Sequence, residues 1–184
     1  EVSFGAMGSI VALNTKDATV KWSLRTYNFG AALTFSLDET AIYYSSCPNC
    51  TQPNPYGSWN VTALNASDGS KLWTSFVPGS SNSILYGAWN VILSLDGTAL
   101  YTSMDINRDP SDTSKGPFVQ YAINTSDGSK LWEYTVLQPI GETALSSDGL
   151  TLYFIGKQHY YNETIEKNYN ESLYAINTKD GKGK

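Results

Sequence analysis

Two cysteines and one histidine are all that 184 residues offer for soft-metal or nucleophile–base chemistry. Cys47 and Cys50 stand in "CPNC", and His159 is far from them along the chain. A zinc site would need a second pair of thiolates or nearby imidazoles, which the sequence lacks. A thioredoxin-like pair would sit in a βαβ context, and no stretch carries a helical period. Cys47 and Cys50 therefore read as a local disulfide in a secreted loop, with free thiols or a redox pair as the alternatives. Charge is also scarce. Charged residues make up 16% of the chain, and the formal net charge is −5. A nucleic-acid footprint should be basic, so that class of partner is excluded. No run of eighteen apolar residues exists, which excludes a helical membrane span. No secretory leader is visible, and the opening "EVSFGAMGS" already reads as a strand, which fits a mature or partial chain.

Catalytic sets are missing too. No Ser/His/Asp arrangement is recognisable, and no paired acids stand out beyond aspartates in turns. "GSIVALNT" lacks the following helix that a phosphate-binding loop requires. His159, beside Tyr160 and Tyr161, reads as a surface or hydrogen-bonded residue. A non-enzymatic protein is expected.

What is abundant is aromatic and small polar. Thirteen Tyr and five Trp bring aromatics to 13%, and Tyr, Trp, Val and Thr suit a pleated, half-buried surface. Sequons of the form Asn-x-Ser/Thr begin at Asn49, Asn60, Asn65, Asn124, Asn162 and Asn170. They point to a secreted, extracellular protein carrying N-linked glycans.

One stretch is written several times. "VALNTKDATVKW" ends at Trp22, "TALNASDGSKLW" at Trp73 and "YAINTSDGSKLW" at Trp132, and "LYAINTKDGKGK" ends at Lys184. Aligned on Asn14, Asn65, Asn124 and Asn177, the copies step by 51, 59 and 53 residues. A second signature alternates with the first, in "LTFSLDETAIYY", "VILSLDGTALYT" and "TALSSDGLTLYF". Its Asp38, Asp96 and Asp148 step by 58 and 52. Two motifs on one period mean a repeat architecture. Each period holds four short strands, such as "NVILSLD", "TALYTSMD", "FVQYAINT" and "KLWEYTV". Turns at Asp96-Gly97 and Asp127-Gly128 separate them, Gly supplying the positive φ of tight hairpins. Repeated four-stranded meanders of this length are propeller blades. A blade buries its faces only against neighbours, so Trp22, Trp73 and Trp132 are expected to pack between blades.

The copy at Tyr121–Trp132 resembles the tryptophan-docking repeat of pyrroloquinoline-quinone (PQQ) type propellers. Tyr121, Ala122, Ile123, Gly128, Lys130 and Trp132 carry the likeness, and the copies at Ala63–Trp73 and Leu173–Lys182 share it. The copy at Val11 has Ala18 and Thr19 where the turn Gly belongs. The resemblance implies an all-β fold, a propeller-like array of four-stranded antiparallel blades, and little about function. The expected organisation is a single repeat region over 1–184, with a partial blade at 1–31, blades at 32–83 and 84–138, and a partial blade at 139–184. About three and a half repeats do not close a ring. The chain is expected to be a segment of a larger ring, a strained four-bladed ring, or an open stack that associates with copies of itself through unpaired edges.

The loops after the second strands differ from unit to unit, and such loops are where binding usually resides. In the middle one, Asp105, Asn107, Asp109 and Asp112 resemble the start of a calcium loop. Pro110 replaces the usual Gly, however, and a solvated turn explains the same residues. No other cofactor is expected. The favoured function is a secreted, N-glycosylated structural or interaction protein. It would bind other extracellular proteins or its own copies, the latter head to tail in a filament. The alternatives are a segment of a PQQ- and calcium-dependent quinoprotein dehydrogenase, against which the spacing of Cys47 and Cys50 argues, and a glycan-binding module.

Overall fold

The computed structural model describes residues 7–27, 32–46, 60–76, 90–105, 118–136, 139–159 and 169–184. Every regular element among them is a β-strand. β1 (Met7–Leu13) and β2 (Val20–Tyr27) pair as a hairpin, here unit 1. Unit 2 is a four-stranded antiparallel meander of β3 (Leu33–Phe35), β4 (Ala41–Ser46), β5 (Asn60–Asn65) and β6 (Lys71–Phe76). Unit 3 repeats it with β7 (Val91–Leu93), β8 (Ala99–Asp105), β9 (Phe118–Asn124) and β10 (Lys130–Val136). Unit 4 has β11 (Pro139–Leu145), β12 (Thr151–His159) and β13 (Tyr169–Asn177).

The sheets stack face to face, because alternate side chains on each strand point to opposite neighbours. On β4, Ile42 and Tyr44 join Leu64 against Ile10, Trp22 and Leu24 of unit 1. Ala41 and Tyr43 point the other way, with Val61 and Ala63, against Val91, Leu100, Tyr121 and Ile123 of unit 3. Ala99, Tyr101, Ala122 and Trp132 then meet Leu152, Phe154 and Ile176 of unit 4. All six residues of β4 are buried, as expected for a middle strand covered on both faces. Three apolar joints hold the stack, and each of the inner units 2 and 3 contributes a rear face to one joint and a front face to the next.

A bulge recurs in the hairpin that closes each of units 1 to 3. Ala12, Ala63 and Ala122 pair with Trp22, Trp73 and Trp132, while Leu13, Leu64 and Ile123 pair with Val20, Lys71 and Lys130. One extra residue, Lys21, Leu72 or Leu131, is thereby left over before each Trp. A one-residue shift sends every following side chain to the opposite face. The bulge is what aims the indoles forward at the next unit.

Candidate interaction site: docked joints and open end faces

The repeated asparagine builds the closing turn. Asn65 Oδ1 accepts from the Ser67 amide at 2.9 Å and the Ser67 hydroxyl at 2.7 Å. Asn124 Oδ1 accepts from the amide and hydroxyl of Ser126, both at 2.9 Å, and Asn177 Oδ1 from the Lys179 amide at 2.9 Å. This side-chain turn leaves the fifth residue, Gly69, Gly128 or Gly181, at φ 73, 76 or 69°. Ala18 holds the same position in unit 1 at φ 56°. The first hairpin has its own set. Asp96 Oδ1 accepts from the hydroxyls of Ser94 (2.7 Å) and Thr98 (2.8 Å) and from the Thr98 amide (3.0 Å). Asp38 is bound by Ser36 and Thr40 in the same way, and Asp148 by Ser146 and the Leu150 amide. These hydrogen bonds hold the three carboxyls below their ordinary range.

Each indole docks on the next unit's closing turn. Trp22 Nε1 donates to the Ala66 carbonyl at 3.1 Å, Trp73 Nε1 to Thr125 at 2.9 Å and Trp132 Nε1 to Thr178 at 2.7 Å. The ring lies flat on the turn glycine. A Cβ built on Gly69, Gly128 or Gly181 would stand 2.7, 2.6 or 2.7 Å from the docked ring's Cε3. Tyr43 stacks on Trp73 with centroids 5.8 Å apart. Tyr101 stacks on Trp132 at the same centroid distance, 5.8 Å. A softer row runs beside the first, in which Leu37 covers Gly97 and Leu95 covers Gly149. Glu39, which occupies the Gly97 position in unit 2, has φ 60°.

Among the described residues, the two end faces carry the same positions without a neighbour. Leu13 is 50% exposed, against 1% or less for its counterparts Leu64, Ile123 and Ile176. Tyr153 is 37% exposed, against 4% for Tyr43 and 3% for Tyr101. Val11 and Val20 accompany Leu13 on the rear of unit 1, and Ile155 and Leu173 accompany Tyr153 on the front of unit 4; all are exposed.

The other candidates are scattered. Asn65 and Asn124 lie in partly exposed turns, whereas Asn60 opens β5 with a buried side chain whose Oδ1 has no partner. Asn170 lies on β13 at the register position opposite Gln158. Asn49, Asn162, Cys47 and Cys50 lie outside the described residues. Of the calcium candidates, Asp105 ends β8, while Asn107, Asp109 and Asp112 lie outside the described residues. Among the described residues no group of three or more His, Cys, Asp or Glu could hold a metal, and no helix is long and apolar enough to cross a membrane. The docking bulge and the tyrosine partners of the indoles were not read from sequence. The extra residue between turn glycine and Trp was the signal for the first, and "AIYY" beside "ALYT" for the second.

Stacked meanders joined indole to turn define a β-propeller array. Residues 60–184 match the family described as outer membrane protein assembly factor BamB. The chain belongs to that family, one of PQQ-type propellers. Among solved structures, hydrazine synthase of Kuenenia stuttgartiensis is similar, at 11% identity and a TM-score of 0.65. The likeness covers 92% of this chain and 45% of that one, so the chain spans less than half the hydrazine synthase chain and the likeness concerns the fold. No match was found among curated proteins.

Proposed function

We propose that this chain is a secreted, N-glycosylated, non-catalytic structural protein that associates with its own copies head to tail, building a filament. The observation that carries this reading is the pair of end faces: Leu13 and Tyr153 are exposed, while their counterparts Leu64, Ile123, Ile176, Tyr43 and Tyr101 are buried at the interior joints. Exposed apolar patches with this internal precedent mark protein contacts. Front meeting rear is a heterologous contact, and such contacts make open assemblies when the rotation does not close. The family's description as an assembly factor also supports a role in protein contact. The sequons at Asn65 and Asn124 lie on partly exposed turns that leave room for a glycan, while the buried side chain of Asn60 leaves none.

Electron microscopy of the native material, with sedimentation over a concentration series, tests the association. Linear particles that lengthen with concentration are expected, and isolated single particles at every concentration would overturn the reading. N-glycosidase digestion in heavy-oxygen water tests the glycans separately. A mass shift is expected at Asn65 or Asn124, and its absence from all six sequons removes the glycoprotein assignment.

A further inference from the structure

We propose that the Asp-Gly steps beneath the docked indoles are covalent modification sites gated by the joints: each rearranges to isoaspartate when its indole lifts, and is held unreacted while the indole is docked. The chain contains five Asp-Gly steps, beginning at Asp68, Asp96, Asp127, Asp148 and Asp180, and all five lie in hairpin turns. Glycine is the following residue that least hinders ring closure, because it has no Cβ. In the reaction the glycine nitrogen attacks the aspartate Cγ. A C–N bond forms, a C–O bond breaks, and the amide proton leaves with the carboxyl OH as water. Water then opens the resulting succinimide at either carbonyl and returns aspartate or isoaspartate, of unchanged mass. Isoaspartate routes the main chain through the former side chain and adds one methylene to the turn.

The docked turns oppose this step at both reacting atoms. The amides of Gly69, Gly128 and Gly181 donate to the carbonyls of Asn65, Asn124 and Asn177, each at 2.9 Å. The carboxyls are held by the residue two positions on. Asp68 Oδ1 accepts from the Ser70 amide at 2.9 Å, and Asp180 Oδ1 from the Lys182 amide at 3.2 Å. Asp127 Oδ1 accepts from the amide and hydroxyl of Ser129, at 2.9 and 2.7 Å. Ring closure requires the Asp–Gly peptide plane to swing its nitrogen towards Cγ. Each of these glycines lies under Trp22, Trp73 or Trp132, where even a Cβ would stand 2.7 Å or less from the ring. Gly128 and Gly181 are buried, while Asp127 and Asp180 are exposed. The carboxyl thus meets water, and what the joint withholds is the freedom of the nitrogen. Hydrogen bonding by Ser70, Ser129 and Lys182 also holds these carboxyls below their ordinary range, which lowers the fraction of neutral acid from which water can leave. When a joint opens, the ring is gone and the rate follows the open fraction. A turn lengthened by a methylene no longer sets its glycine under the indole, so an opened joint is marked covalently. The reaction belongs to the single chain, associated or not.

The test ages the full chain at neutral pH, folded and in urea, and locates isoaspartate by peptide mapping and enzymatic methyl labelling. In urea all five steps should convert. In the folded chain Asp68, Asp127 and Asp180 should convert at least about tenfold more slowly, since only the open fraction reacts. Trp73→Ala uncovers Gly128, so conversion at Asp127 should rise several-fold, while Asp68 and Asp180, under Trp22 and Trp132, keep their rates. Circular dichroism checks that the variant is folded, and Trp73→Phe serves if it is not. Equal rates in the folded and urea-treated chain would overturn the proposal. So would a folded Trp73 variant in which Asp127 keeps its rate, or one in which Asp68, Asp127 and Asp180 accelerate alike, since general unfolding and not the docked ring would then gate the reaction.

Discussion

Trp73 donates its indole N–H to the carbonyl of Thr125, 52 positions later and 2.9 Å away, and lays its ring on Gly128. The same relation links Trp22 to unit 2 and Trp132 to unit 4. Ala18 separates the two reasons a glycine could stand at that turn. It adopts the left-handed backbone without being Gly, so the conformation alone does not demand glycine. The neighbour's ring does.

Gly128→Ala is accordingly expected to cost about 2–5 kcal/mol, adding a left-handed backbone penalty of about 1–2 to an overpacking cost of about 1–3. Ala18→Gly should change stability by under about 1 kcal/mol, since strain relief offsets the looser unfolded chain. Urea unfolding measures both. In a double-mutant cycle, Trp73→Ala should relieve part of the Gly128→Ala cost, and strict additivity would show that the ring is not what the Cβ meets.

Trp73→Phe should lose the hydrogen bond and part of the ring contact, about 2 kcal/mol, and Trp73→Ala about 3–5 kcal/mol. Thermal melts report the loss. A Trp73→Ala variant as stable as wild type would contradict a joint held by that indole.

The turn aspartates set an acid limit. The carboxyls of Asp38, Asp96 and Asp148 titrate below their ordinary range, chiefly because serine hydroxyls bond them. A depressed folded pKa stabilises above the unfolded value of about 3.9 and loses that contribution as pH falls through the folded one. Stability should hold from neutral pH to near pH 4 and decline below it. Carboxyl NMR titration should find these three midpoints low, and ordinary midpoints would refute the turn geometry.

Tyrosine sets the alkaline limit. Burial pushes Tyr121 up to about 12, and raises Tyr43 and Tyr101 as well. The raised folded value keeps this contribution intact below the unfolded pKa of about 10 and loses it as pH rises towards 12. Absorbance at the phenolate band should show late ionisation that coincides with loss of near-ultraviolet circular dichroism. Ionisation of every tyrosine near pH 10 in a still-folded protein would contradict the burial.

The sequence alone determined the unit. Strand alternation, Asp and Asn turns and a period of 51 to 59 residues are local signals, and they specify four-stranded meanders with one indole each. The two end positions were partly legible, since Ala18 visibly departs from the glycine of the other copies. Only the tertiary structure decided which face each indole takes, through a bulge that shifts register by one residue, and why glycine stands where it does. It also decided that Leu13 and Tyr153 are open while Leu64 and Tyr43 are not. Those outcomes depend on contacts between side chains about one repeat apart. Chemically equivalent residues differ in exposure only because a neighbouring sheet is present or absent.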